Sequence, residues 1–203
     1  MNRETFITDS IYHIYNRGSD KRVTFLDADD HQRFVNGLIE YNDANPARDP
    51  RVQVAMPRLK LVEILCYCLM PNHFHLMIRQ TRDGGITQFM RKIGTGYTMY
   101  FNKRYDRSGV LFQGIFKSVL VDQENYLRYL PHYIHLNPTQ IGFDASRLGE
   151  YRWSSYPEYT GGGAHIADTR FLQEIYKPER YDEALADWIR ERGDQSIASV
   201  ALD

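Results

Sequence analysis

The sequence predicts an α+β protein: a ferredoxin-like, split β-α-β antiparallel sheet with helices on one face, followed by C-terminal helices. Two observations predict this class. Short segments with strand-like alternation are interleaved with longer segments of helical periodicity, in the order β-α-β-β-α-β-α. The chain has 203 residues, of which 42% are hydrophobic, which is enough to bury one sizeable core. We expect one main domain over residues 1–160 and a helical extension over residues 161–203.

The first strand and the first helix are indicated by local patterns. Residues 10–17 alternate in side-chain character and end at Gly18, which indicates a strand. A helix is expected to begin at Asp27, because a cluster of aspartates suits the positive end of a helix dipole. It should end before Pro46. The apolar stripe of this helix consists of Phe34, Leu38 and Tyr41.

The remaining elements follow in order along the chain. The strongly apolar residues 59–69 predict a second strand, and the Pro71-Asn72 pair predicts a turn into a third strand over residues 73–79. Helical periodicity and strand-like composition then predict a helix over 86–105, a strand over 110–121 and a helix over 123–136. Two terminal helices are expected over residues 168–176 and 178–192.

The charges are unevenly distributed. The formal net charge is −1, so the overall balance does not indicate a nucleic-acid-binding protein. Residues 85–117, however, contain six basic residues and one acidic residue, whereas residues 168–203 contain nine acidic and five basic residues. This asymmetry favours a polyanion-binding surface in the middle of the chain. A solvated basic helix is an equally common explanation.

Cysteine usage and hydropathy bear on the compartment. Cys66 and Cys68 share one face of a strand, where a disulfide between them would be strained, so we expect buried thiols in a reducing compartment. We find no apolar run long enough to span a membrane and no secretion signal. We therefore expect a cytoplasmic protein with no membrane partner.

The third predicted strand carries a His-x-His motif. Side chains alternate between the faces of a strand, so His73 and His75 should share a face, about 7 Å apart, while Phe74 points into the core. Two imidazoles in this arrangement can bind one divalent metal. The alternative is a pair of polar residues on a solvated face. A histidine-triad hydrolase would need a third histidine where Met77 stands. A zinc hydrolase would need a carboxylate or a third histidine nearby, and none is obvious near His75.

The third predicted helix carries a second candidate pair. Tyr133 and Asn137 are four residues apart and therefore share a helix face. A phenol and an amide oxygen at this spacing can present a nucleophile and a metal ligand together. The alternative is a core tyrosine and an asparagine that caps the helix before a proline.

Four sequence blocks, in this order, resemble the single-tyrosine HUH transposases of the IS200-like type, and most closely the REP-associated tyrosine transposases. The blocks are YHIYNRG at residues 12–18, MPNHFH at 70–75, YFN at 100–102 with GVLFQG at 109–114, and YIHLNP at 133–138. The resemblance covers roughly residues 8–160, and the WSSY block at 153–156 also fits it. Residues after 168 lie outside it.

The resemblance implies an enzyme, a transposase that nicks and joins single-stranded DNA at hairpin-flanked sites through a 5′-phosphotyrosine intermediate. It implies that Tyr133 is the nucleophile and that His73 and His75 are metal ligands. Asn137 takes the place where some relatives carry glutamine as a third ligand. The implied cofactor is a divalent metal, Mg²⁺ or Mn²⁺. The implied partner is single-stranded DNA with a REP-like hairpin, and the implied location is the cytoplasm, in association with the nucleoid.

Basic side chains are the candidates for phosphate contacts, because lysine and arginine bind phosphates without reading sequence. The candidates are Arg17, Lys21, Arg22, Arg91, Lys103, Arg104, Arg107 and Lys117. Two alternatives stay open at this point. The chain can be a domesticated protein that binds DNA hairpins with little or no cleavage, and it can be a monomer or a homodimer.

Overall fold

The computed structural model describes residues 5–45, 58–163 and 165–197. Four strands form one antiparallel sheet in the order β2-β3-β1-β4. The strands are β1 (Ile11–Arg17), β2 (Val62–Met70), β3 (His73–Gln80) and β4 (Lys117–Leu120). This is the order expected of a split β-α-β sheet, in which the first and third strands are central. The predicted fold class is confirmed.

Helices α1 (Ala28–Glu40) and α2 (Gly85–Arg104) cover one face of the sheet. Phe34 of α1 and Phe89 of α2 are buried in the same core as Ile14 and Leu76 of the central strands. As predicted, α1 is capped by Asp27, whose side chain accepts from the Asp30 N–H.

The first helix ends at Glu40, earlier than residue 45. The reason lies in Asn42, whose side chain accepts from the backbone N–H groups of Leu61 and Val62 and donates to the Val62 carbonyl. These hydrogen bonds hold the residues after Glu40 against the start of β2, so the helix does not continue.

Helix α3 (Glu124–Leu136) covers the opposite face of the sheet. Leu130 and Ile134 of α3 share a core with Cys68 of β2 and Met77 of β3. The one-face arrangement therefore holds for α1 and α2, whereas α3 closes the second face. Its connection to β4 is only three residues long, so the chain turns directly from the edge strand onto this face.

The fourth strand is shorter than predicted, because β4 spans Lys117–Leu120 and not residues 110–121. Residues 110–116 are irregular, and Gly109 and Gly114 adopt φ values of 86° and 74°, which interrupt an extended strand. The segment nevertheless stays beside the end of β1, since the Gln113 N–H donates to the Arg17 carbonyl at 2.8 Å. It thereby brings Gln113 to the same end of the sheet as His73.

The short helix α4 (Tyr156–Tyr159) follows the third helix, and both predicted terminal helices are present, as α5 (Thr169–Ile175) and α6 (Tyr181–Ile197). They pack against α3, because Tyr176 and Tyr181 are buried in the core that contains Leu130. His135 of α3 lies 2.6 Å from the Tyr181 hydroxyl and 2.8 Å from Ser155 Oγ, which fixes α3 to its neighbours on both sides. The domain boundary at residues 160–161 stays a prediction.

Two smaller expectations concern thiols and membrane spans. Cys66 and Cys68 are buried free thiols, and burial raises the pKa of both. Among the described helices, none combines the length and the apolarity that crossing a membrane requires.

Candidate active site

The two histidines of the His-x-His motif share one face of β3, as predicted. Their ring centroids are 5.1 Å apart, and the ring planes are nearly perpendicular at 87°. The antiparallel register places His75 opposite Tyr15 and His73 opposite Arg17 on β1. Phe74 is buried on the other face, in the core beneath α1 and α2. The histidine face is the face that α3 covers.

The hydrogen bonds around His73 define its proton position. Asn72 Nδ2 donates to the Lys21 carbonyl at 3.0 Å, so Asn72 Oδ1 is the atom 2.7 Å from His73 Nδ1. His73 Nδ1 must therefore donate, which leaves a lone pair on Nε2. Burial lowers the pKa of His73, which favours this neutral form.

Helix α3 brings Tyr133 to the histidines. The Tyr133 ring lies 5.2 Å from the His75 ring and 6.0 Å from the His13 ring, edge-on to both. Burial raises the pKa of the Tyr133 hydroxyl, and a hydrogen bond with Asn137 acts in the opposite direction. A buried phenol is a poor nucleophile at neutral pH, so reaction at Tyr133 requires a nearby group that stabilises the phenolate.

Asn137 caps α3 and also places its amide oxygen beside a histidine. It is the C-cap residue of α3, and its Nδ2 donates to the Tyr133 carbonyl at 2.8 Å. Its Oδ1 lies 3.3 Å from His73 Nε2. One helical turn later, Gln140 Nε2 donates to the same oxygen at 3.4 Å. The geometry of α3 thus places an amide oxygen beside the first histidine.

A cavity of about 440 Å³ opens onto this face and unites much of the predicted site. His73, His75 and Tyr133 line it, together with three of the predicted cations: Arg17, Lys21 and Lys117. Additional polar and aromatic groups in the lining are His13, Tyr15, Asn16, Gln113, Tyr126, Tyr129 and Gln140.

The other five predicted cations do not line this cavity. Arg91, Lys103 and Arg104 lie on α2, which covers the opposite face of the sheet. Arg104 forms ion pairs with Asp27, Asp29 and Asp30, and Arg107 donates to Asn102 Oδ1. Arg22 donates from Nε to the Ser19 carbonyl. Their contribution to DNA binding stays a prediction.

His13 is the residue that the sequence reasoning missed. It lies on β1 on the histidine face, and its Nε2 is 2.9 Å from His75 Nδ1. Burial lowers the pKa of His13 to about 4, so it is neutral at pH 7. The signals in the sequence were its place in the YHIYNRG block and in the same β1 alternation as Tyr15 and Arg17, and neither fixes the pairing register with β3.

The side chains near His73 offer a set of donor atoms for a divalent cation. Within the described ranges, no three His, Cys, Asp or Glu side chains are grouped to hold a metal. The set instead consists of His73, His75 and the Asn137 amide. His73 Nε2 and Asn137 Oδ1 are both lone-pair acceptors, yet they face each other at 3.3 Å. An imidazole nitrogen and an amide oxygen at this distance can both bind one cation, so the arrangement fits a metal site of mixed nitrogen and oxygen ligands.

Fold and site together define a ferredoxin-like protein with two sheet histidines and a helix tyrosine in one cavity. The comparisons with known proteins then show what the chain is similar to. Residues 56–137, which include all four predicted catalytic and metal-ligand positions, match the model of the family described as IS200-like transposases. The sequence-based resemblance to IS200-like transposases is therefore confirmed.

The fold comparison agrees with this result. A solved structure of a REP-associated tyrosine transposase bound to a REP hairpin aligns with a TM-score of 0.59 and 15% sequence identity. The alignment covers 83% of this chain and 93% of the other. At this identity, the match supports the fold. Among curated proteins, no match was found.

Proposed function

We propose that this protein is a metal-dependent endonuclease and strand transferase for single-stranded DNA, with Tyr133 as its nucleophile. The observation that carries the proposal is the position of Tyr133, whose ring lies 5.2 Å from His75 in a cavity shared with His73 and three cationic side chains. A nucleophile, a metal-ligand pair and phosphate-binding charges are the components that cleavage of a phosphodiester by a tyrosine requires.

In the proposed reaction, the Tyr133 oxygen attacks a phosphorus atom of the DNA backbone. The bond from phosphorus to the 3′ oxygen breaks, which leaves a 3′ hydroxyl and a 5′ phosphate linked to tyrosine. The phenolic proton is lost in this step and is matched by the proton that the 3′ oxygen gains. Attack by another 3′ hydroxyl reverses the chemistry and joins a new strand, with no need for ATP.

His73, His75 and Asn137 would hold the metal. A divalent metal bound there would neutralise phosphate charge and orient the scissile group for in-line attack. Mg²⁺ prefers all-oxygen ligands, whereas Mn²⁺ tolerates imidazole nitrogen better, so Mn²⁺ is the better probe for this donor set. Lys21 and Lys117 line the same cavity and would contact the flanking phosphates.

The proposed substrate is DNA that carries a hairpin. The similar solved structure is bound to a REP hairpin. In this chain, the cavity presents tyrosine rings beside its cations, which suits unpaired nucleotides next to a hairpin stem, because bases stack on aromatic rings while phosphates pair with cations.

Loss of one proposed ligand should weaken metal binding. His73→Ala removes the imidazole that faces Asn137, so we expect Mn²⁺ affinity to fall by at least about 100-fold, since even the partners of metal ligands contribute 10- to 100-fold. Isothermal titration of the DNA-free protein with Mn²⁺ measures this. The exposed His165, which has a φ of 55°, provides the control as His165→Asn, because asparagine tolerates this backbone conformation. Unchanged Mn²⁺ affinity in His73→Ala would exclude His73 as a ligand.

The function itself is tested by covalent trapping. The protein is incubated with labelled single-stranded hairpin DNA, with Mn²⁺ or with EDTA, and separated on a denaturing gel. We expect an adduct with Mn²⁺ only, and peptide mapping should locate the DNA on Tyr133. Binding of the hairpins without any adduct would instead identify a DNA-hairpin-binding protein that does not cleave.

A further inference from the structure

We infer that His13 is a positioning residue that presents His75 to the metal in the correct tautomer. The inference rests on the proposed function, because it concerns the proposed metal ligand. It is carried by a chain of three side chains: His75 Nδ1 lies 2.9 Å from His13 Nε2, and His13 Nδ1 lies 3.1 Å from the Tyr126 hydroxyl. Both histidines are buried.

With both histidines neutral, the two hydrogen bonds that join His75, His13 and Tyr126 can run in either of two directions. In the first, His75 Nδ1–H donates to His13 Nε2, and His13 Nδ1–H donates to the Tyr126 oxygen. In the second, Tyr126 donates to His13 Nδ1, and His13 Nε2–H donates to His75 Nδ1. The tyrosine hydroxyl serves either direction, because it can donate or accept.

Only the first direction leaves His75 able to bind a metal through Nε2. In the second direction the proton of neutral His75 resides on Nε2, so this atom has no lone pair. His13 must therefore accept from His75, just as Asn72 Oδ1 accepts from His73 Nδ1 at 2.7 Å. Both proposed imidazole ligands then carry their protons on Nδ1, each held by a partner outside the donor set.

Packing restricts the His75 ring to the required orientation. The His13 and His75 ring centroids are 5.1 Å apart with an interplanar angle of 24°, so the two rings lie edge to edge and nearly coplanar, as the hydrogen bond between their nitrogens requires. Tyr15 stacks on His13 at 4.9 Å. Tyr126 lies seven residues before Tyr133, on the same side of α3. The chain of hydrogen bonds thus connects the proposed ligand on β3 to the helix that carries the nucleophile.

The direct test is the tautomer of His75 in metal-free and DNA-free protein. Nitrogen-15 NMR of the imidazole distinguishes Nδ1–H from Nε2–H. We expect Nδ1–H in the wild type and in His13→Gln, whose amide oxygen can accept in place of Nε2. In His13→Leu, which has no acceptor, we expect the Nε2–H form to appear. Nε2–H in the wild-type protein would overturn the inference.

Titration with Mn²⁺ alone provides the second readout. We expect affinity to fall about 10- to 100-fold in His13→Leu and to recover to within a few-fold of wild type in His13→Gln. Urea unfolding of both variants separates this effect from lost stability. Equal Mn²⁺ affinities in folded His13→Leu and wild-type protein would overturn the positioning role.

These outcomes are independent of DNA cleavage. If the tautomer and Mn²⁺ results hold but no hairpin yields an adduct, the proposed nuclease function fails and the role of His13 stands. If the adduct forms on Tyr133 while His13→Leu binds Mn²⁺ like the wild type, the function stands and the role of His13 fails.

Discussion

Replacing Tyr133 with phenylalanine is expected to abolish the covalent protein–DNA adduct while leaving the fold and hairpin binding close to those of the wild type. The substitution removes one hydroxyl and keeps the ring, which packs against His75 and stacks on Tyr129 at 6.2 Å. The expected cost in the free energy of unfolding is about 1 kcal/mol, the usual net value of one hydrogen bond. Adduct yield on a denaturing gel and hairpin binding by fluorescence anisotropy measure the two properties separately.

The matched control is Tyr129→Phe. Tyr129 lies one helical turn before Tyr133, lines the same cavity and holds its ring nearly parallel to that of Tyr133, at 20°. We expect Tyr129→Phe to retain the adduct, because the proposed nucleophile is Tyr133, whose ring lies 5.2 Å from the His75 ring. An adduct that persists in Tyr133→Phe and disappears in Tyr129→Phe would assign the nucleophile to the earlier residue.

The parts of the site that the sequence predicted are those set by local periodicity. A strand alternates faces every residue, so the shared face of His73 and His75 followed from their spacing alone. Helical spacing likewise predicted that Tyr133 and Asn137 belong to one side of α3. The meeting of Tyr133 with both histidines at one cavity, and of Asn137 with His73, was implied by the family resemblance and not by the spacings, since α3 could have covered either face of the sheet.

The parts that the sequence missed depend on long-range pairing. The contact between His13 and His75 spans 62 positions and exists because β1 and β3 pair in one particular register. The irregular segment before β4 was also missed, because its apolar residues resemble a strand while Gly109 and Gly114 interrupt it. Neither feature follows from a window of neighbouring residues.

The excess of basic residues over 85–117 was a weaker guide, because a count along the sequence does not distinguish the faces of a sheet. Lys117 follows the irregular segment and lines the cavity, whereas Arg104 lies on α2 over the other face. Arg104 is also engaged by three aspartates near the start of α1. These contacts indicate a structural role for Arg104, which leads to a prediction about its buried partner.

Replacing Asp30 with alanine is expected to lower the free energy of unfolding by about 3 kcal/mol, because removing one partner of a buried ion pair leaves the other groups unsatisfied. The Asp30 side chain is fully buried and accepts from Arg104 at 3.2 Å, from the Tyr105 hydroxyl at 2.8 Å and from the Leu26 N–H at 2.9 Å. It thereby joins the start of α1 to the end of α2. Urea unfolding followed by circular dichroism measures the change.

The control is Asp29→Ala, one residue earlier on the same helix. Asp29 also pairs with Arg104, at 3.3 Å, but its side chain is 82% exposed, so its loss should change stability little. If Asp29→Ala and Asp30→Ala were equally destabilising, burial of the Asp30 carboxylate would not be the cause.

Arg104→Ala should accordingly affect unfolding more than hairpin binding, and Lys117→Ala should do the reverse. The reason is that Lys117, unlike Arg104, lines the cavity that contains the proposed nucleophile Tyr133.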